Sequence, residues 1–369
     1  MSATAPDPSS VPNEALVVAP CGPEDRAEQA RLFNACFKKS LGPDELHWRY
    51  DSGPHGGALS FVSRPPGGEG VSGYACSPRR VLCFGEHESL VGETGDVMTH
   101  PDWRKRGIFS SLDVACMAAA EEAGWSLVFG LPNRRSAHIF LELGWERIGT
   151  IRPWTFVFEP DARARALRVP EGRLAALALP LAVRECRAGR RRLEAAAQGL
   201  RVEPLERFPE EVEALSRAVE RDFAFMVRRD APYLNWRFLE NPSGVHRALA
   251  VRRPDGQFAG YAVVQVPDER GLGYLVDVLA PDPDARAAAI GGALEHLRSL
   301  GAAAVQATAI DGSWWQRQLL DSGFLRPKPE NHLIVIRYAH DPDHPLTRAS
   351  ARAADWYLTD GDRDDETMG

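Results

Sequence analysis

The sequence predicts a mixed α/β protein (an α+β type of mixed sheet) in which one domain occurs twice. Three observations carry this. Strand and helix patterns alternate through residues 95–149, a ten-residue stretch at 47–56 recurs at 235–244, and in each copy a run of strands precedes the helical segments. Strands in series followed by βα units imply, in each copy, a mostly antiparallel central sheet flanked by helices.

The repeat is read residue by residue. HWRYDSGPHG and NWRFLENPSG align without a gap, so that Trp48/Trp236, Arg49/Arg237, Tyr50/Phe238, Pro54/Pro242 and Gly56/Gly244 share one offset. Gly73-Tyr74 then matches Gly260-Tyr261, Asp96-Val97 matches Asp277-Val278, and Gly144-Trp145 matches Gly323-Phe324. Order is kept while the offset shrinks slightly, as small loop deletions produce. A period this long signals tandem duplication.

Taken in order, residues 1–14 form a polar leader, expected to be flexible. The first domain spans 15–158. Its strands are Ala58–Val62, Val71–Ser77, Glu88–Leu90 and Asp96–Thr99, followed by a helix from Gly107 to Ala123, a strand Ser126–Leu131 and a second helix. Residues 159–200 are rich in Arg, Ala and Leu, and Pro170 and Pro180 divide them into two short helical pieces of a linker. The second domain spans 201–340, with strands Ala248–Arg252, Ala259–Val266 and Gly273–Leu279. A tail, 341–369, remains; its aromatic residues and the turn Asp360-Gly361-Asp362 suit it to cover an acceptor site.

The chemistry concentrates where a strand hands over to a helix, at Arg104-Lys105-Arg106-Gly107-Ile108-Phe109-Ser110. A helix start exposes unpaired N–H groups at the positive end of the helix dipole, which suits a pyrophosphate. Three adjacent cations strengthen it, and a glycine lets the backbone approach a phosphate oxygen. In the second copy this place reads Pro281-Asp282-Pro283-Asp284-Ala285-Arg286, with the glycine gone and two aspartates added. The first copy is therefore expected to bind the phosphates and the second is not.

These residues resemble the acyl-CoA-binding core of the GNAT superfamily of N-acyltransferases. The turn supplies Arg104 and Gly107 of the family's Arg/Gln-x-x-Gly-x-Gly/Ala, with Phe109 in place of the second small residue. Asn133, Ser136, Phe140 and Gly144-Trp145 follow at the family's spacing. The resemblance implies acyl-CoA (acetyl-CoA or another) as co-substrate, held by Met98, Thr99, Arg104, Lys105, Arg106, Gly107, Ile108, Phe109, Ser110, Asn133 and Ser136, with backbone amides of Met98 and Thr99 stabilising the oxyanion. It also implies a small-molecule amine acceptor, as in tandem members of sugar and polysaccharide pathways, with an amino sugar first. A non-catalytic acyl-CoA sensor and an acyltransferase for peptide amines are the competing readings.

An attacking ammonium must lose a proton. Glu93 and Asp96 lie on the strand before the turn, where the family's base sits, and strict alternation puts them on opposite faces. Asp277, the repeat partner of Asp96, stands in a copy expected to bind no CoA, so Glu93 is preferred as base. The family's usual proton donor, a Tyr, is Phe140 here; His138 lies nearby but faces elsewhere. The acceptor is expected between the copies, bordered by Glu93 and Asp96 and by Trp314, Trp315, Trp356, Asp360 and Asp362.

Composition narrows the classes. A net charge of −7 argues against a nucleic-acid partner. The six cysteines show no C-x-x-C pair, so no metal is expected, and they fit a reducing cytoplasmic setting. The beginning MSATAPDPSSVPNE has no basic-then-apolar signal, and the longest apolar run, Leu174–Val183, is too short for a transmembrane segment and contains Pro180.

Overall fold

In the computed structural model, residues 12, 15–37, 40–158, 173–330 and 332–363 are described, the side chains of 173–181 excepted. The expected leader falls outside them apart from Pro12, as do Pro170 and the tail beyond Arg363. The chain divides into two compact units. Unit 1 takes the chain up to Val81, Glu88–Arg147 and Val335–Arg348; unit 2 takes Leu82–His87, Ile148–Ile334 and the chain from Ala349 on.

Unit 1 is a sheet of five early strands and one late one. They are β1 (Val17–Pro20), β2 (Leu59–Arg64), β3 (Ser72–Cys83), β4 (His87–Thr99), β5 (Leu127–Gly130) and β13 (Leu333–Ala339), in the spatial order β1-β2-β3-β4-β5-β13. β1, β2 and β3 are antiparallel neighbours, β4 and β5 are parallel, and β13 closes the sheet antiparallel to β5. Helices α1 (Arg26–Cys36) and α2 (Pro43–Asp51) bury Leu32, Phe33, Leu46 and Tyr50 with Ala75 and Met98 of the sheet. Helix α3 (Ile108–Glu122) buries Ile108, Leu112, Cys116 and Ala120. That i, i+4 spacing is a single helix stripe, and it seats α3 on the sheet. A short α4 (Ala137–Glu142) follows β5.

Unit 2 repeats the plan. Its strands are β6 (Glu146–Val157, counted here from Ile148), β7 (Arg201–Leu205), β9 (His246–Arg252), β10 (Phe258–Gln265), β11 (Leu272–Leu279) and β12 (Ala304–Ile310), ordered β6-β12-β11-β10-β9-β7, with β8 (Phe225–Val227) beside β14 (Trp356–Tyr357). β11 and β12 are parallel, and β6 closes the sheet antiparallel to β12. Helix α5 (Arg173–Ala196) packs on α7 (Pro283–Ser299); α6 (Val212–Val219) and α8 (Trp314–Asp321) complete the helices used below. The core gathers Trp154, Phe156, Leu193, Ile290, Leu294, Trp315 and Phe324.

Four features differ from the sequence reading. The expected strands Glu88–Leu90 and Asp96–Thr99 are one strand of thirteen residues. Gly92 does not interrupt it, because the Trp125 ring lies where a Cβ would go, so that residue is needed for packing. The helix through Pro180 is single: α5 continues where two pieces were expected. Proline removes one intrahelical hydrogen bond, and tertiary packing of Val183, Cys186 and Leu193 outweighs that loss. The closing strands are exchanged with respect to contiguous domains 15–158 and 201–340. Residues 148–157 pair within unit 2, and β13 from Val335 pairs within unit 1. Finally, the tail segment 356–363 is buried in unit 2.

Candidate functional site

Helix α3 starts bare. Its N-cap is Gly107, with φ of 72° and no side-chain cap, and Lys105 is also left-handed with φ of 63°. Glycine tolerates that conformation, whereas an L-residue pays for it. Beyond Gly107 the N–H groups of Ile108 and Phe109 stand at the positive end of the dipole, while that of Ser110 donates to the Gly107 carbonyl at 3.1 Å. The cations hold defined places. Arg104 Nε donates to the Thr99 carbonyl at 3.2 Å, and the Arg106 guanidinium lies 4.8 Å from the ring centre of buried Trp103. The turn is thereby tied to the end of β4, with Arg104, Lys105 and Gly107 exposed.

Beside the turn the sheet opens. β4 and β5 pair only from Gly92/Val128 to Thr94/Gly130, although β4 runs on to Thr99. Met98 and Thr99 thus lie on the stretch beyond the parting, fixed by Ser72, whose hydroxyl donates to the Met98 carbonyl and lies 2.8 Å from the Thr99 hydroxyl. After β5, the Asn133 side chain accepts from the amides of Arg135 (2.9 Å) and Ser136 (3.1 Å), and the Ser136 hydroxyl donates to the Asn133 carbonyl. Asn133 and Ser136 therefore shape the start of α4.

The parting coincides with a bulge. Asp96 has φ of 48°, in the middle of β4. Thr94 lies against Tyr74 and Cys76, while Met98, of the same parity, packs with α1 and α2. One extra residue between them reverses the alternation. Glu93 and Asp96 consequently share the α2 side of the sheet, where strict alternation had separated them. Both carboxylates are held by arginine: Arg79 bonds Glu93 at 2.5 Å, and Asp96 accepts two bonds from Arg49 (2.6 and 2.8 Å) and one from the Tyr50 hydroxyl (2.6 Å). Arg49, from the repeated Trp-Arg element, thus pairs with the residue whose repeat partner, Asp277, is likewise arginine-bound.

The chain is similar to known proteins in part of its sequence and in its fold. A family model described as an acetyltransferase (GNAT) domain matches residues 18–148. Residues 18–148 are a GNAT domain. No curated protein matches the chain. Among solved structures, a conserved protein of Enterococcus faecalis V583 aligns with TM-score 0.60 and 14% identity over 88% of this chain and 73% of its own. A tandem GNAT protein from the clavulanic acid biosynthesis pathway aligns with TM-score 0.55 and 14% identity over 89% of this chain and 100% of its own. A GCN5-related N-acetyltransferase from Kribbella flavida gives TM-score 0.56 and 14% identity over 88% and 71%. Residues 18–148 thus match a GNAT acetyltransferase domain, and the solved structures share the fold of the chain.

Inside the GNAT domain, Phe109 turns inward. Its ring meets those of Phe140 (5.1 Å between centres) and Tyr74 (5.8 Å), and Phe140 meets Trp145 at 4.9 Å. The side chain that replaced the family's second small residue therefore fills the core under the turn. Phe140 is buried by the same contacts, so the place of the usual proton donor is apolar. This cluster surrounds a residue the sequence reading missed, Asp113 of α3. It is 2% exposed and accepts from the Tyr74 hydroxyl (2.8 Å) and the Trp145 indole (3.3 Å). An aspartate next to Leu112 and one turn before Cys116 and Met117, on the buried face of the helix, was the available signal.

Burial pushes the Asp113 carboxyl above the usual carboxylate range, outweighing the hydrogen bonds from Tyr74 and Trp145. A carboxyl whose pKa is raised by folding favours the fold when protonated, and that contribution is lost as pH rises through the folded value. Asp113→Asn keeps an acceptor for both donors and carries no charge. Its expected stability at pH 7 equals or exceeds that of the wild type, with a smaller drop between weakly acidic and neutral pH in chemical denaturation. A loss above about 2 kcal/mol at pH 7 would show that the charged form is needed.

The predicted acceptor residues sit otherwise than expected. Trp315 and Trp356 are buried in unit 2, and Trp314 is half-buried against Tyr357, 4.6 Å between ring centres. Asp360 and Asp362 are each 1% exposed. Asp360 accepts from the Thr308 amide and from Arg363, and Asp362 from Arg229 and the Thr359 amide. Both carboxylates are buried within unit 2 and held there by these bonds. Among the described residues, no group could hold a metal ion and no helix is long and apolar enough to cross a membrane.

Proposed function

We propose that the enzyme moves an acetyl or short acyl group from acyl-CoA to the primary amine of a small molecule, with an amino sugar first to be tried. The observation that supports the donor site most is the uncapped Gly107 start of α3, with Arg104, Lys105 and Arg106 around it and parted strands β4 and β5 beside it. The pyrophosphate would lie on the amides of Gly107, Ile108 and Phe109, with Ser110 beside them and its own amide donating to the Gly107 carbonyl at 3.1 Å, and the pantetheine arm would follow β4 past Met98 and Thr99 towards Asn133 and Ser136. An acyl carbonyl there would use the amides of Met98 or Thr99 as oxyanion donors. The amine attacks the thioester carbon, its proton leaves to a base, and the tetrahedral intermediate expels the CoA thiolate. Phe140 donates no proton, which the thiolate tolerates because thiols ionise near pH ~8.5.

Glu93 is assigned as base, reached through water, and Asp96 as the residue that holds the bulge and α2 in place. Three hydrogen bonds and a left-handed backbone commit Asp96 to architecture. Steady-state assays with acetyl-CoA and an amine library, followed as free thiol, test the activity and name the acceptor. Glu93→Gln is expected to lower kcat by about 10²–10⁴-fold with KM for acetyl-CoA retained. Asp96→Asn is expected to act first on stability. Equal kcat in Glu93→Gln and wild type would remove Glu93 from the base role.

A further inference from the structure

Unit 2 keeps the parted strands and shows what fills them. β11 and β12 pair over Leu272–Tyr274 against Ala304–Gln306 and then separate, as β4 and β5 do beyond Thr94 and Gly130. A bulge sits at the same place: Val263 opposes Asp277 while Val264 opposes Leu275, leaving Val276 extra. The turn Asp360–Asp362 touches both separated strands. On the β12 side, the Thr308 amide donates to Asp360 at 2.7 Å and the Thr308 hydroxyl bonds the same carboxylate. On the β11 side, the Tyr357 hydroxyl donates to the Val278 carbonyl and the Thr359 hydroxyl to Asp277 at 2.8 Å.

The segment is seated as a ligand would be. Arg229 bridges Asp277 (3.3 Å) and Asp362 (2.7 Å), and Arg237 donates to the carbonyls of Gly361 and Arg363. A Cβ on Gly361 would come within 2.7 Å of the Phe238 ring, so only glycine fits there. The helix start is filled as well. Asp282 caps α7, accepting from the amides of Asp284 (2.8 Å) and Ala285 (3.2 Å), and Arg253 holds it at 2.7 Å. Gly107 supplies no such cap to α3.

We infer that unit 2 carries its own ligand: the opening between β11 and β12 is a peptide-binding site occupied by residues 356–363, and Asp282 stands where α3 would receive a phosphate. The occupant is a short strand followed by a turn with two carboxylates, recognised by Arg229, Arg237 and Thr308. The same peptide supplied separately should bind when the built-in copy is removed. It follows, on the reading of unit 1 proposed above, that a chain takes one acyl-CoA.

In the full-length chain carrying Thr308→Val and Asp360→Ala, hydrogen exchange at residues 356–363 is expected to quicken about tenfold or more, because two anchors to β12 are lost. Unchanged protection overturns the proposal. A chain ending at Asp355 is expected to melt at lower temperature and to recover saturably with a synthetic peptide of residues 355–363. A peptide with Asp360→Ala and Asp362→Ala should not restore it. A truncated chain as stable as the full one, or equal rescue by both peptides, also overturns it; if the truncated chain does not fold, the full-length exchange result decides. Titration of full-length protein with acetyl-CoA gives the stoichiometry separately. Two sites per chain contradict the filled unit 2, whereas no binding at all contradicts the reading of unit 1 and leaves the peptide result standing.

Discussion

Replacing Gly107 with glutamate is expected to weaken acetyl-CoA binding by about a hundredfold or more in isothermal titration. Two effects add. The residue has φ of 72°, where an L-side chain costs about 1–2 kcal/mol. The new carboxylate also points its charge at the pyrophosphate site, with a repulsion of about 1 kcal/mol or more per close pair even in water. Gly107→Ala separates the two, because it carries the backbone cost without the charge. No atom lies within 4 Å of a Cβ built at this position, so alanine meets no steric clash. Alanine should therefore cost stability first and affinity less than glutamate does. Equal, wild-type affinity in both variants would mean the phosphates bind elsewhere.

Arg229→Met is expected to lower the stability of unit 2 by about 3–5 kcal/mol in chemical denaturation. The guanidinium is buried with Asp277 and Asp362, and its removal leaves two carboxylates in a low-dielectric interior without their cation. Burial works against the arginine charge, but Asp277 and Asp362 outweigh it and hold its pKa well above the ordinary value. Burial likewise raises Asp362, with Arg229 pulling the other way. In the variant, protonation of Asp362 relieves part of the penalty, so the deficit should shrink as pH falls. Asp277→Asn added to Arg229→Met should recover part of the loss. A deficit under about 1 kcal/mol would show that water reaches the site.

The turn at Gly107 was legible because its chemistry is local. A glycine after three cations at a strand-to-helix junction has one backbone geometry that explains it, and the structure has Gly107 in that geometry. The duplication was legible for the same kind of reason, since Trp48-Arg49 and Trp236-Arg237 keep their spacing. Alternation along β4 failed at Asp96, because a bulge leaves no mark in a period-two pattern. The burial of the tail left no local mark either. An acidic turn reads as solvated or as ligand-binding until the arginines that bury it, 124–133 residues away, are seen.

By itself the sequence determined the mixed α/β class, the two copies, the bare helix start of the first and the acidic, proline-bearing start of the second. Each of these rests on residues within one or two turns of one another, where propensity, charge and backbone freedom act directly. Only the tertiary structure decided which strand closes each sheet, that Glu93 and Asp96 share a face, and that residues 356–363 fill the opening in unit 2. Those outcomes depend on pairing between segments distant in the chain. There, burial and hydrogen-bond satisfaction are settled by whichever partner leaves no polar group stranded, and no local pattern records that choice.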